Sequence, residues 1–127
     1  MNLLLDTHVF IWWDQRNATL NDSARAAIEN TRNNVFVSAA SVWEIAIKRR
    51  RGKLTLSGSA SAAIASNGFH ELPILPLEAE AAGDLEWRHD DPFDRMLVAQ
   101  AMAQGLMFVT ADETIRAFEG LARMWAK

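Results

Sequence analysis

The sequence predicts an α/β protein in which helices cover both faces of a central parallel sheet. Short apolar runs recur along the chain, near its start, its middle and its end, and stretches with helical spacing separate them. Strands that alternate with helices form βαβ units, which place the strands parallel to one another. Runs that are apolar throughout are typical of strands buried on both faces.

The first half of the chain is expected to hold two strands and four helices. "NLLLD" is a buried strand, and "THVFIWWDQ" continues with helical spacing. "LNDSARAAIENTR" is a helix capped by Asn21 or Asp22. "NVFVS" is the second buried strand, and "AASVWEIAIKRRRG" is a helix that stops at Gly52, a residue type common just past a helix end. "TLSGSASAAIASNG" holds a helix of small residues.

The second half is expected to add two more strands and a candidate edge strand. "HELPIL" is a short strand limited by two prolines, and "LEAEAAGDLEW" is a helix. The next helix runs from Asp94 to Gly105. "LMFVT" is the fourth strand and is expected to be buried, "ADETIRAFEG" is a short helix, and "LARMW" forms a final edge strand.

Length and composition favour one domain over residues 1–127 in a reducing compartment. A chain of 127 residues is the size of a single domain. Cysteine is absent, which excludes disulfides and thiolate metal sites and suits the cytoplasm. The first apolar run ends at Asp6, too soon for a signal peptide or a membrane span. The net charge of −3 gives no overall signature of a nucleic-acid binder.

Four carboxylates are expected at one edge of the sheet. Asp6 ends the first strand, and Asp112 lies just past the fourth. Asp94 opens the helix that leads into the fourth strand, and Glu44 lies about one turn into the helix after the second strand. Helices that lead into a strand begin at the carboxyl edge of a parallel sheet. Ligands of open parallel sheets bind outside that same edge.

A divalent cation explains this shared edge best. Carboxylates that converge in a partly buried crevice repel one another, and a bound hard cation removes that penalty. Oxygen ligands suit Mg²⁺ or Mn²⁺, which can activate water and hold a phosphodiester. Each residue also has an ordinary structural interpretation. Asp6 (through Thr7), Asp94 and Asp112 are suitable helix caps, and Glu44 can pair with Lys48.

Other residues give weaker signals. The basic run "KRRRGK" is either a solvated helix end or a surface for phosphates, formed by Lys48, Arg49, Arg50 and Arg51. Arg95 either contacts phosphate or pairs with Asp90 or Asp91. Ser38 and Thr110, at strand ends, are either turn residues or residues that orient a ligand water.

The aromatic residues and histidines also allow more than one interpretation. Trp12, Trp13 and Trp43 either stack on bases or are buried in the core or an interface; burial is the expected outcome for most of the five tryptophans. None of the three histidines has the spacing of a zinc pair, so satisfied or surface histidines are expected.

Four blocks in series resemble the PIN-domain family, and in particular the bacterial VapC-like toxins of type II toxin–antitoxin systems. The blocks are "LLLDTHVFIWW", "VSAASVWEIAIKRRRGKL", "DPFDRMLVAQA" and "FVTAD", and together they span nearly the whole chain. The resemblance implies a three-layer α/β/α domain with a central parallel sheet of four to five strands. It also implies a Mg²⁺- or Mn²⁺-dependent endoribonuclease.

The resemblance assigns roles to residues and partners as well. The family's acidic quartet corresponds to Asp6, Glu44, Asp94 and Asp112, and Asp91 becomes a supporting or helix-start residue. The implied partners are an RNA substrate, a cognate antitoxin and a second copy of the chain.

Two other functions remain open from the residues alone. A PIN-like domain that binds RNA or protein with little cleavage is one. A phosphatase or phosphoacceptor with Asp6 as nucleophile is the other. "DTH" offers no second carboxylate two residues on to act as an acid, which argues against the phosphatase.

Overall fold

The fold alternates strands and helices along the whole chain. It is described by a computed structural model that covers residues 1–127. The elements are β1 (Asn2–Leu5), α1 (Thr7–Asp14), α2 (Asp22–Glu29), β2 (Asn34–Ser38), α3 (Ala39–Arg50), α4 (Ala60–Ser66), β3 (His70–Leu72), α5 (Pro76–Asp84), α6 (Pro92–Gln104), β4 (Met107–Thr110), α7 (Glu113–Arg116) and β5 (Arg123–Trp125).

The five strands form one sheet in the order β3-β2-β1-β4-β5, and all four pairings are parallel. Leu3 of β1 is in register with Val35 of β2 on one side and Met107 of β4 on the other. The predicted parallel sheet is therefore confirmed, including the final edge strand. The chain moves outward from β1 through β2 to β3, then returns to the other side of β1. This change of direction leaves a crevice between the carboxyl ends of β1 and β4.

Apolar side chains cover both faces of the sheet, as a three-layer fold requires. Leu3 and Leu5 pack on one face with residues of α1, α2, α3 and α4. Leu4 points the opposite way and packs with Leu97 and Val98 of α6 and with residues of α7. The alternation follows from the two-residue period of a strand. β1 is buried on both faces and lies at the centre of the molecule.

Two helices end next to a glycine, as predicted. α3 ends at Arg50, shortly before Gly52 with φ +70°, and α6 ends at Gln104, directly before Gly105 with φ +63°; both glycines have the left-handed conformation that favours this residue type.

The start of one helix differs from the prediction. α6 begins at Pro92 rather than at Asp94. Asp91 is its cap, and its Oδ1 accepts the N–H groups of Phe93 and Asp94. The interpretation of Asp94 as the helix cap is therefore wrong.

The tryptophans are less buried than predicted. Trp12, Trp13, Trp87 and Trp125 are half-buried, and Trp43 is 61% exposed. Trp43 packs its ring edge against Phe93, with centroids 5.3 Å apart, so one neighbour supports it on an otherwise open surface. No helix in the structure is long and apolar enough to cross a bilayer.

Candidate functional site

A polar cleft of about 320 Å³ opens at the carboxyl edge of the sheet. Carboxylates dominate its lining, against few cationic groups. The lining residues are Asp6, His8, Trp12, Glu44, Lys48, Asp91, Asp94, Ala111, Asp112 and Lys127. A second cleft of about 600 Å³ is mostly apolar and has a single ionisable residue, Glu71, so it offers little chemistry.

Strand and helix ends bring the four predicted carboxylates into this cleft. Asp6 follows β1 and caps α1, and Asp112 follows β4 and caps α7. Asp94 lies in the first turn of α6, and Glu44 lies in the second turn of α3. The structure thus contains the predicted shared edge. The capping contacts predicted for Asp6 and Asp112 are also present, so these two side chains serve the helices and line the cleft at once.

Asp6 is almost fully buried and has hydrogen bonds at both oxygens. Only 7% of the residue is exposed. Its Oδ1 accepts the backbone N–H of Thr7 at 2.8 Å, and its Oδ2 accepts the hydroxyl of Thr110 at 2.7 Å. Burial raises the pKa of Asp6 to about 6, although these hydrogen bonds and His8 favour the charged form; the nearby Glu44 adds to the increase.

Asp94 pairs with a histidine that sequence reasoning left unassigned. Nε2 of His89 lies 2.6 Å from Oδ2 of Asp94. Ligand atoms of His89, Asp91 and Asp94 lie within 4.8 Å of one another. Burial raises the pKa of Asp94 to about 7, with His89 opposing the increase and the charges of Asp6, Asp91 and Asp112 adding to it. Burial is thus the main cause of both raised pKa values, and the neighbouring carboxylates add to it.

Glu44 is held between a hydroxyl and an ammonium group. Its Oε1 accepts the hydroxyl of Thr7 at 2.6 Å, and its Oε2 accepts Nζ of Lys48 at 2.5 Å. Thr7 has one hydroxyl proton, and an ionised carboxylate can only accept. Ser41, whose Oγ lies 2.9 Å from the Thr7 hydroxyl oxygen, therefore donates to Thr7. The predicted Glu44–Lys48 pair is confirmed.

The charge of Lys48 is stabilised within the cleft. Burial alone would lower its pKa, but the hydrogen bond and charge of Glu44, with the charges of Asp91 and Asp94, raise it above the usual value. Lys48 is thus committed to the carboxylates. Its predicted contact with phosphate must share the ammonium group with Glu44.

The two strand-end hydroxyls have different roles. Thr110 donates to Asp6 and accepts the backbone N–H of Asp112 at 3.1 Å, so it links two of the carboxylates. Ser38 instead caps α3 through the N–H of Ala40 and donates to Gln100 at 2.6 Å. It makes no hydrogen bond to any of the four carboxylates, which favours the interpretation of Ser38 as an ordinary strand-end residue.

The side chain of Arg95 is fully engaged in hydrogen bonds to the backbone. Its five N–H groups all donate to backbone carbonyls, two in the last turn of α5 and three in the connection between α5 and α6. The acceptors are the carbonyl oxygens of Ala82, Gly83, Leu85, Trp87 and His89. A guanidinium has no further donors. The predicted salt bridge to Asp90 or Asp91 is therefore wrong, and a phosphate contact would have to displace one of these carbonyls. Arg95 fixes the segment that carries His89.

Of the remaining basic residues, Arg49 has a structural role, and Arg50 and Arg51 lie on the open surface. Nη1 of Arg49 donates to the carbonyls of Leu56 and Gly58, at 3.0 and 2.5 Å, and so links α3 to the segment before α4. Arg50 and Arg51 are exposed and make no hydrogen bond or ion pair through their side chains. They remain the predicted phosphate contacts with unoccupied donors.

Known proteins resemble this chain in sequence and in fold. Residues 3–121 match the family model of the PIN domain. Ribonuclease VapC22 of Mycobacterium tuberculosis is 30% identical over 117 residues, which cover 90% of this chain and 89% of that protein. The structure of VapBC2 from Rickettsia felis bound to a promoter DNA fragment aligns with a TM-score of 0.69, 11% identity and full coverage of both chains. DNA-bound VapBC from Salmonella typhimurium aligns with a TM-score of 0.69, 17% identity and 98% coverage of each chain. The last two likenesses concern the fold alone. The match of sequence over nearly the whole length shows that this chain belongs to the PIN-domain family, alongside the VapC ribonucleases.

Proposed function

We propose that this protein is a Mg²⁺- or Mn²⁺-dependent endoribonuclease and the toxin of a bacterial toxin–antitoxin pair. Its active site is the cleft around Asp6, Glu44, Asp94 and Asp112, in a single PIN domain that spans residues 1–127. One observation carries the proposal. Five carboxylates and only two lysines line a cleft at the point where the order of the strands reverses, in a member of a ribonuclease family.

The donor set fits a hard divalent cation. Asp94 Oδ1 and Asp112 Oδ2 accept no hydrogen bond from the protein, which leaves each free to coordinate. Asp6 and Glu44 hold hydrogen bonds at both oxygens, and each such oxygen keeps a second lone pair. Oxygen ligands with no cysteine favour Mg²⁺ or Mn²⁺ over softer ions. Burial is the main cause of the raised pKa of Asp94, and a cation here would favour the charged form against both burial and the repulsion from Asp6, Asp91 and Asp112.

Three of the four carboxylates are oriented by a hydrogen bond from a neighbouring side chain. Thr110 orients Asp6, Thr7 orients Glu44, and His89 orients Asp94. The hydroxyls of Thr7 and Thr110 are both engaged with carboxylates, so neither is a free nucleophile. We propose water as the nucleophile that attacks phosphorus. A divalent cation supplies Lewis acidity that lowers the pKa of water and stabilises charge on the phosphate.

The proposed partners are RNA, a cognate antitoxin and a second copy of the chain. The structural neighbours are VapBC assemblies, which supports an antitoxin partner for this protein. Leu75 and Leu77, at the start of α5, are 50% and 78% exposed, which supports a homodimer. We place the activity in the cytoplasm, where the RNA substrate resides.

A cleavage assay with matched variants tests the proposal. The purified chain should cut RNA when Mg²⁺ or Mn²⁺ is added and stop when EDTA is added. Asp6→Asn and Asp94→Asn should abolish cutting, and Asp84→Asn, an exposed carboxylate at the end of α5, should leave it unchanged. Cleavage that persists in both site variants, or that needs no metal, would contradict it. RNA binding without any cleavage would favour a binding module instead.

A further inference from the structure

One wall of the acidic cleft is aromatic rather than charged. His8 and Trp12 both line the cleft and lie on α1, four residues apart and therefore on one face of the helix. Their rings are tilted at 57° with centroids 6.4 Å apart. α1 begins directly after Asp6, so this aromatic wall starts two residues from a central carboxylate. The proposed mechanism uses neither ring.

Trp12 is fixed as well as accessible. It packs against the apolar core on the α1 side of the sheet while the rest of its surface lines the cleft. A half-buried indole that is already ordered loses little freedom when a flat ligand stacks on it. Its aromatic neighbour in the cleft is the exposed His8.

The negative charges of the cleft favour a flat ligand that is neutral. Five carboxylates around the cleft repel an anionic group placed on the wall itself. A nucleobase is flat and neutral, and it stacks on aromatic side chains in many proteins that bind single-stranded RNA. Its phosphate then lies away from the wall, towards the site proposed for the cation.

We propose that Trp12, with His8 beside it, is a stacking site for an unpaired nucleobase next to the scissile phosphate. This inference rests on the proposed ribonuclease function and assigns Trp12 the role of contacting a base of the substrate. A paired base is stacked within its own helix and cannot reach the indole. Trp12 would thus set the position of the cut relative to an unpaired nucleotide without reading a particular base, since every base has a face that stacks.

Binding of fluorescently labelled short oligoadenylate tests the proposal, in an Asp94→Asn background that prevents cleavage. Removing a single base from the probe, one position at a time, should weaken binding about tenfold at one position. Trp12→Leu should weaken binding of the intact probe by a similar factor and should no longer respond to the missing base. Trp12→Phe, which keeps a ring against the core, should retain most of the response. Trp43→Leu, which removes an exposed tryptophan outside this cleft, should bind like its parent.

Several outcomes would overturn the stacking site. They are equal sensitivity to base removal at every position, unchanged binding by a folded Trp12→Leu variant, or a Trp12→Leu variant that still responds to the same missing base. If cleavage by the wild-type chain is intact, such a result rejects the stacking site alone. If the wild-type chain neither binds nor cuts RNA, the proposed function fails together with it.

Discussion

Nε2 of His89 lies 2.6 Å from Oδ2 of Asp94, and this contact joins the segment after α5 to the first turn of α6. Arg95, one residue further along α6, holds the same segment through three carbonyls and the last turn of α5 through two more. His89 therefore reaches Asp94 from a fixed backbone. Even with this partner, burial and neighbouring carboxylates keep the pKa of Asp94 at about 7.

Asp94→Asn should stabilise the metal-free chain, and more at high pH than at low pH. The folded-state pKa of about 7 exceeds the ordinary value of 3.8, so the folded chain binds a proton that the unfolded chain releases. The free energy of unfolding therefore falls as pH rises from about 4 to 7 and stays low above it. Asparagine has no charge to desolvate and can still accept from His89. We expect a gain of about 1–2 kcal/mol at pH 8, or roughly 3–10 °C in melting temperature.

Thermal melts of both chains in EDTA at pH 5 and pH 8 measure this difference. A variant that is less stable than wild type at both values would mean that Asp94 supports the fold through contacts that asparagine cannot replace. Asp84→Asn is the matched control, because Asp84 is exposed and does not line the cleft.

Thr110→Val should raise the pKa of Asp6 further above about 6, because the Thr110 hydroxyl donates to the ionised carboxylate and lowers that pKa. Removal of one such hydrogen bond should move it upward by about one pH unit. Carboxyl NMR titration of the metal-free protein measures the value. Thr114→Val changes an exposed threonine of α7 and should leave the pKa of Asp6 unchanged. An unchanged Asp6 titration in Thr110→Val would show that the Thr110 hydroxyl does not lower the pKa of Asp6.

Arg95→Lys should destabilise the fold by about 2–3 kcal/mol, since an ammonium has three donors and lacks the planar fork that serves five carbonyls. Urea denaturation gives the difference. Arg88→Lys is the control, because Arg88 is exposed in the same segment and makes no side-chain hydrogen bond. The salt dependence of RNA binding should not change in folded Arg95→Lys. A clear decrease in that slope would restore Arg95 as a phosphate contact.

Arg50→Gln combined with Arg51→Gln should weaken RNA binding uniformly across sequences. The salt slope should fall by about one for each phosphate that the variant no longer neutralises. Binding titrations at several salt concentrations measure the slope. Arg32→Gln removes an exposed arginine just before β2, at the opposite edge of the sheet, and should have no effect. If the salt slope of RNA binding is the same in the Arg50/Arg51 double variant and in Arg32→Gln, the end of α3 is solvated surface and does not contact phosphate.

The sequence was sufficient for the sheet and for the edge where the carboxylates meet. Apolar runs mark the strands, and Asp6, Asp94 and Asp112 stand at strand or helix ends whose position in a parallel sheet is determined by connectivity. The start of α6 was also accessible from sequence, since Asp91 followed by Pro92 is a typical cap and first helical residue. Ser41, three residues before Glu44 on α3, was a further local signal.

The contacts of Arg95 and His89 could not be predicted in the same way. Arg95 bonds to backbone carbonyls, which every residue carries, so no side-chain pattern indicates it. His89 reaches Asp94 only because an irregular segment folds back on α6, and its spacing matches no helix or strand period. Trp43 lies on the exposed face of α3 with Ala39, Ala46 and Arg50, a place that its residue type alone does not reveal.

The melting temperature against Mn²⁺ and Mg²⁺ concentration, for wild type, Asp94→Asn and Asp84→Asn in parallel, tests the metal site most directly. A cation that binds only the folded chain adds roughly 2.7 kcal/mol at a hundredfold excess over its dissociation constant. We predict that wild type and Asp84→Asn gain stability with added metal and that Asp94→Asn does not. No gain in wild type, or an equal gain in all three chains, would contradict a cation site built from these carboxylates.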